Sequence, residues 1–346
     1  MRNRGFIIFI GLLFCSLITA AQVADTIRIG GQRAAQAETF YNEGISLFNR
    51  GDYQAALEKF NQAIAERSDF HQAYYNRGVV RAQLSNHNAA LQDFNQAISN
   101  MPDFAMAYFA RGRSREALGL DHDAMNDYSM AISRNSRMYL AYYYRGTLNF
   151  KQGLFVRAIE DFTAAINIRA DFAYAYNDRG SAWHKTGNNQ AAMADYQQAI
   201  LLDNTLFFAY NNLGKLRFEN GQYREAAESF STALTLNPNY HHALANRAVV
   251  YKRMEKFDEA IKDINRVLEL KPGNYQAYTI RGNIYYKMND FEKAVADHTR
   301  SIETNPIFGI AWYNRGIARE MLRDPEGAEA DWERASDLGV TRPEGK

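Results

Sequence analysis

The chain has 346 residues, of which 47% are hydrophobic, 13% aromatic and 23% charged, a composition that can bury a core and excludes a disordered chain. Forty Lys and Arg stand against 39 Asp and Glu for a net charge of +1, which argues against a general nucleic-acid binder or a polybasic membrane binder. The single cysteine, Cys15, excludes a disulfide framework and any cysteine-ligated zinc site by count.

Residues 1–21 read as a secretory signal peptide. Arg2 and Arg4 precede an apolar run from Phe6 to Ile18, which ends at the small residues Thr19, Ala20 and Ala21. The run is short for a membrane-spanning helix, which needs about 20 apolar residues. No charge follows it until Asp25, so an uncleaved anchor remains open as the other reading. Both keep the basic end in the cytoplasm and carry the rest across the membrane. The expected location is therefore extracytoplasmic, such as the periplasm, with a membrane attachment only if the leader is retained. Cys15 follows Phe14, where a lipoprotein signal needs a small residue, and reads as filler. Residues 22–36, with Gly30-Gly31, read as a linker that lacks the lysine and spacing of a phosphate loop.

Beyond the linker one period governs the chain. Gly44, Gly78, Gly112, Gly146, Gly180, Gly214, Ala248, Gly282 and Gly316 recur every 34 residues without an insertion. Nine repeats follow, 37–70, 71–104, 105–138, 139–172, 173–206, 207–240, 241–274, 275–308 and 309–342, leaving 343–346 as a tail. Twelve residues after each small residue stands an alanine, from Ala56 to Ala328. Sixteen after it stand Phe60, Phe94, Tyr128, Phe162, Tyr196, Phe230, Ile264, His298 and Trp332. Apolar residues at three- and four-residue spacing predict two amphipathic helices of about 14 residues per repeat. The turn between them is marked at Arg50-Gly51-Asp52, Gln152-Gly153 and Asn220-Gly221. No repeat can bury both faces alone, so stacking must complete the core.

With Tyr210, Leu213, Gly214, Ala226, Phe230, Ala233 and Pro238 in register, the chain resembles the tetratricopeptide repeat family, over 306 of its residues. The leader would make it a member of the exported bacterial type. Ala248 and His298 depart from the family's glycine and aromatic, each blurring one core site. The resemblance implies an all-α fold, a right-handed α-solenoid of nine 34-residue helix-turn-helix repeats. It also implies that first helices line a concave groove, and that such solenoids bind proteins or peptides.

A pairing rule runs inside the repeats. Arg77, Arg111, Arg145, Arg179, Arg247, Arg281 and Arg315 precede the small residue, and sixteen residues after each stands Asp93, Asp127, Asp161, Asp195, Asp263, Asp297 or Asp331. The first repeat exchanges the signs, Glu43 with Lys59, and the sixth is uncharged at both, Leu213 with Ser229. Structural ion pairs within each hairpin are expected.

Catalytic signatures are missing: the sequence holds no Walker loop, no His-Glu-x-x-His helix and no Gly-x-Ser-x-Gly elbow. No enzyme, no cofactor and no metal site is expected; adjacent His241 and His242 would diverge by about 100° on a helix. The groove face is more informative. Repeats four to eight place Lys151, Lys185, Lys215, Lys252, Arg253 and Lys287 there against the single acid Glu219. They are interleaved with Tyr143, Phe150, Tyr174, Phe208, Phe218 and Tyr286. A second, mostly apolar patch comprises Tyr41, Phe48, Tyr75 and Phe109. Either aromatic set could instead pack between repeats. The family's clamp for chaperone tails is disfavoured, because Thr279 occupies its lysine slot although Asn283 and Asn314 match two others. The expected function is a non-catalytic exported scaffold that binds a protein or extended peptide, acidic in character, in the groove. The alternative is an envelope protein that binds an anionic polymer or glycan through the same face.

Overall fold

A computed structural model gives residues 20–340, with side chains described from residue 30 onward. Nearly all of the expected signal peptide, Cys15 with it, and the tail lie outside the described residues.

The described residues form 18 helices and no strand, nine helix-turn-helix repeats of an all-α solenoid. They divide into two compact units, Met1–Ala141 and Tyr142–Lys346. In the N-terminal unit α1 (Ala20–Asn49) pairs with α2 (Tyr53–Glu66), α3 (His71–Gln83) with α4 (His87–Asn100), and α5 (Ala105–Ala117) with α6 (Asp121–Arg134). Then come α7 (Tyr139–Lys151), most of which belongs to the C-terminal unit, and its partner α8 (Phe155–Ile168). α9 (Ala173–Lys185) pairs with α10 (Asn189–Leu202), and α11 (Phe207–Glu219) with α12 (Tyr223–Leu236). The last three hairpins are α13 (His241–Arg253) with α14 (Phe257–Leu270), α15 (Tyr275–Lys287) with α16 (Phe291–Thr304), and α17 (Gly309–Met321) with α18 (Pro325–Asp337).

Residues 22–36 are helical rather than a linker, since α1 runs unbroken from Ala20. Two glycines at about 1 kcal/mol each do not stop a helix that extends an already packed nucleus through alanine-rich sequence. Ala37 supplies that nucleus, fully buried with Ala63, Phe70 and Ala73.

Each first helix ends in the same way. The residue at the turn takes φ between 59° and 84° in all nine repeats, at Gly51, Ser85, Gly119, Gly153, Gly187, Gly221, Glu255, Asn289 and Arg323. At Gly51 the chain closes a Schellman motif, Gly51 N–H donating to Phe48 O and Asp52 N–H to Leu47 O, both at 2.9 Å.

The small residue of each first helix faces the ring of the second. A Cβ at Gly78 would lie 2.7 Å from the Phe94 ring, and one at Gly214 2.8 Å from Phe230. Ala248 is explained by its partner: it faces Ile264, a smaller side chain than a ring, and both are fully buried. His298 fills the ring slot opposite Gly282.

All seven Arg–Asp pairs are formed. Arg77–Asp93, Arg111–Asp127 and Arg145–Asp161 close at 2.6 Å, Arg179–Asp195 at 2.8 Å, and Arg247–Asp263, Arg281–Asp297 and Arg315–Asp331 at 2.7 Å. Lys59–Glu43 makes the sign-exchanged bridge of the first repeat at 2.6 Å. The aspartates are buried, so each demands its charge partner. Two features go beyond a hairpin clamp. A second arginine one turn on, Arg81, Arg115 or Arg319, also reaches the aspartate, at 2.8, 2.8 and 3.1 Å. Within each unit guanidinium groups also reach back to the preceding repeat: Arg77 donates to Asn61 at 2.7 Å, Arg179 to Thr163 at 3.1 Å, Arg247 to Ser231 at 2.9 Å and Arg281 to Asn265 at 2.7 Å. The pairs therefore tie neighbouring repeats as well as hairpins.

Candidate partner-binding site

The first helices of the C-terminal unit carry the expected cations. Lys151, Lys185, Lys215, Arg253 and Lys287 are exposed, while Lys252 is half-buried. Burial, and then the charges of Arg253 and Lys287, lower the Lys252 ammonium pKa. Lys185, Lys215, Lys252, Arg253 and Lys287 make no ion pair among the described residues. Lys151, Lys185, Arg253 and Lys287 are the last residues of their helices, where the macrodipole favours a positive charge and accounts for part of their placement. Lys252 shares the last turn of α13, whereas Lys215 lies a full turn before the end of α11 and has no such account. The one acid of the expected set, Glu219, is held by His184 Nε2 at 2.6 Å.

The aromatic residues divide by role. Phe150, Phe218 and Tyr286 each meet a ring at the start of their own repeat's second helix, Phe155, Tyr223 and Phe291, with centroids 5.3, 5.6 and 5.4 Å apart. They brace the hairpin turn. Tyr143 packs edge-on against Phe172 at 4.9 Å and belongs to the core around Ala158 and Phe162. Tyr174 is the most open of the set, 46% exposed, and its ring lies 5.6 Å from that of Phe208. In the N-terminal unit Tyr41, Phe48 and Tyr75 pack on Phe70, Tyr53 and Phe104 at 5.0, 5.6 and 5.1 Å, and Phe109 lies 5.9 Å from Tyr128. All four are half-buried, each with part of its ring open to solvent.

The feature that sequence reasoning missed is a string of amides along the same face. Asn246 donates to Asn211 Oδ1 at 3.0 Å, Asn211 to Asn212 at 3.4 Å, Asn212 to Asn177 at 3.0 Å, and Asn177 to Asp178 Oδ1 at 2.9 Å. From the other side the Tyr143 hydroxyl donates to Asp178 Oδ2 at 2.8 Å. Every donor points toward Asp178, so the amide dipoles align on one carboxylate. Its pKa is nevertheless raised, because burial outweighs the bonds from Tyr143 and Asn177. Burial and the adjacent Asp178 also raise the Tyr143 hydroxyl. The signal was a spacing of 35 residues: the fifth residue of one repeat meets the sixth of the next, as in Tyr41–Asn76, Tyr143–Asp178, Asn177–Asn212 and Asn211–Asn246. Beside this string lies a cavity of about 340 Å³, lined in part by Phe150, Phe208, Tyr240, Asn212 and Asp178.

Among the described residues no group of three or more His, Cys, Asp or Glu could hold a metal ion. No helix among them is long and apolar enough to cross a membrane.

Sequence models of the tetratricopeptide repeat match residues 41–105, 103–172, 173–206, 207–240, 242–274 and 275–308. Among solved structures, a chain of the APC/C hetero-tetramer Cut9–Hcn1 is 18% identical, with a TM-score of 0.59 over 80% of this chain and 54% of that one. This chain thus spans about half the length of that relative, 54%. The C-terminal part of a tetratricopeptide repeat protein from Cytophaga hutchinsonii is also 18% identical, with a TM-score of 0.55 over 68% of this chain and 97% of that one. PilF of Pseudomonas aeruginosa is 16% identical, with a TM-score of 0.54 over 60% and 94%. Identities this low speak to the fold alone. No curated protein matches the chain.

Proposed function

Because the chain belongs to the tetratricopeptide repeat family, we propose that it is a non-catalytic scaffold that holds an extended acidic segment of a protein partner outside the cytoplasm. The segment would lie along the first helices α7, α9, α11, α13 and α15. One observation carries this reading: the first helices α9, α11, α13 and α15 present cations that make no ion pair among the described residues, and an aromatic-lined cavity lies beside them. Unpaired cations on low-dielectric walls add their fields and draw a negative segment. The Cut9–Hcn1 relative works within a hetero-tetramer, which is in keeping with a protein partner.

Crosslinking and pull-down of the exported protein would identify the partner, and Lys185→Glu with Lys252→Glu would test the face. Rim charges act mainly on encounter, so the double reversal should slow association about tenfold at low salt, with little change in dissociation. Equal binding by the reversed protein would reduce the face to a solvated surface. Export is tested by an alkaline-phosphatase fusion after residue 36, which should be active and should lose activity when Phe6 to Ile18 are deleted.

A further inference from the structure

Asp178 and Glu219 are the only acids in the first helices α7, α9, α11, α13 and α15. Glu219 has His184. Asp178 has no cation: its oxygens receive the Tyr143 hydroxyl and the Asn177 amide, and no Lys, Arg or His lies within ion-pair distance among the described residues. The seven aspartates of the second helices, by contrast, each face an arginine.

The string of amides does not require this charge. At the equivalent place other repeats carry Asn76, Asn212, Asn246 and Asn314, and Asn212 and Asn246 serve as rungs in the same string. A half-buried carboxylate without a counter-charge is costly, so a neutral rung would be the more stable choice. Asp178 lines the cavity of about 340 Å³ together with Phe150, Phe208 and Tyr240. That volume is near the lower limit of about 300–1,000 Å³ for ligand pockets. It suits one long side chain rather than a cofactor. A carboxylate on an aromatic wall matches a cationic head on an aliphatic stem.

We propose that this cavity is a subsite for a single lysine or arginine side chain of the partner segment, its cationic head paired with Asp178 and its stem among Phe150, Phe208 and Tyr240. The inference rests on the peptide-binding reading of the same face and adds a specificity to it: an acidic segment carrying one basic residue. The exposed lysines do not silence the carboxylate. Lys185 follows Asp178 by seven residues on α9, about 10 Å along the axis, which is roughly a Debye length at physiological salt.

The test uses n-butylguanidinium and its neutral near-isostere n-butylurea, titrated into the full chain and followed through the side-chain amide resonances of Asn177 and Asn212. The guanidinium should give saturable shifts, with n-butylurea at least about tenfold weaker. Asp178→Asn should abolish the difference. Equal binding of the two probes, no saturable shift, or an undiminished preference in Asp178→Asn would overturn the subsite. Should that variant fail to fold, the contrast between the two probes on the unaltered chain decides. A pair of acidic peptides with a central arginine or norleucine separates the two readings. Equal affinity for both overturns the subsite and leaves the scaffold standing, whereas binding of neither counts against the scaffold while the small probes still judge the cavity.

Discussion

His298 occupies a slot that rings or Ile264 fill in the other second helices, and it is fully buried with no hydrogen-bond partner for either ring nitrogen. Burial, with a smaller push from Arg315, takes its pKa down to about 4. The unfolded chain binds this proton near the ordinary value of about 6.5. The contribution of the neutral ring is therefore full above about pH 6.5 and is lost as the pH falls from there toward 4. His298→Phe should raise stability by about 1–2 kcal/mol at neutral pH, by removing two unsatisfied polar atoms. It should also flatten the acid limb, which urea midpoints between pH 7.5 and 4.5 would read. At this scale the sequence was informative wherever two residues constrain each other. The smaller Ile264 opposite Ala248, and Lys59 opposite Glu43, were legible because each change comes with its complement. Asp178 was not, since its environment is built from three repeats and no single period displays it.

Among the elements, the turn is the part most constrained by backbone geometry. Glu255 and Arg323 hold φ of 59° and 60°, a region that costs an L-residue roughly 1–2 kcal/mol and a glycine nothing. Nothing lies within 4 Å of a Cβ built on the corresponding glycines Gly51 and Gly221, and Glu255 and Arg323 are themselves exposed. Glu255→Gly should therefore stabilise the protein by about 1 kcal/mol, offset in part by the greater freedom of glycine in the unfolded chain. Asn289→Gly should gain least, because asparagine tolerates this region, and thermal unfolding of the two variants would establish the order. The first helices were harder to read than the turns. Phe150, Phe218 and Tyr286 point toward the groove on a helical wheel, yet each leans over the turn onto the next helix. A wheel orders residues about one axis and holds no information on a ring lying beyond the helix end.

For the whole molecule, a strict period without insertions made the architecture plain, because stacking is the only way such hairpins bury both faces. The stretch before the repeats is harder to read, for the opposite reason. Two adjacent glycines suggest a break, while the structure extends a helix from a nucleus already secured at Ala37. The arginine ties have a mechanical consequence. A guanidinium bonded to the repeat behind it acts as a rivet across each junction it spans, joining the fourth repeat to the fifth through Arg179 and the sixth to the seventh through Arg247. Leu213 stands where the rivet between the fifth and sixth repeats would be, and that joint is stitched by Asn212–Asn177 and His184–Glu219 instead. The array should part there first, giving a protease-sensitive intermediate cut near Asp203–Leu206 in moderate urea. Leu213→Arg with Ser229→Asp should suppress it. The cavity beside Asp178 draws its walls from the fourth, fifth and sixth repeats, so a bound side chain would sit across this fracture line and pin it shut. Occupancy would then register as resistance to tearing, even in an assay blind to the partner itself.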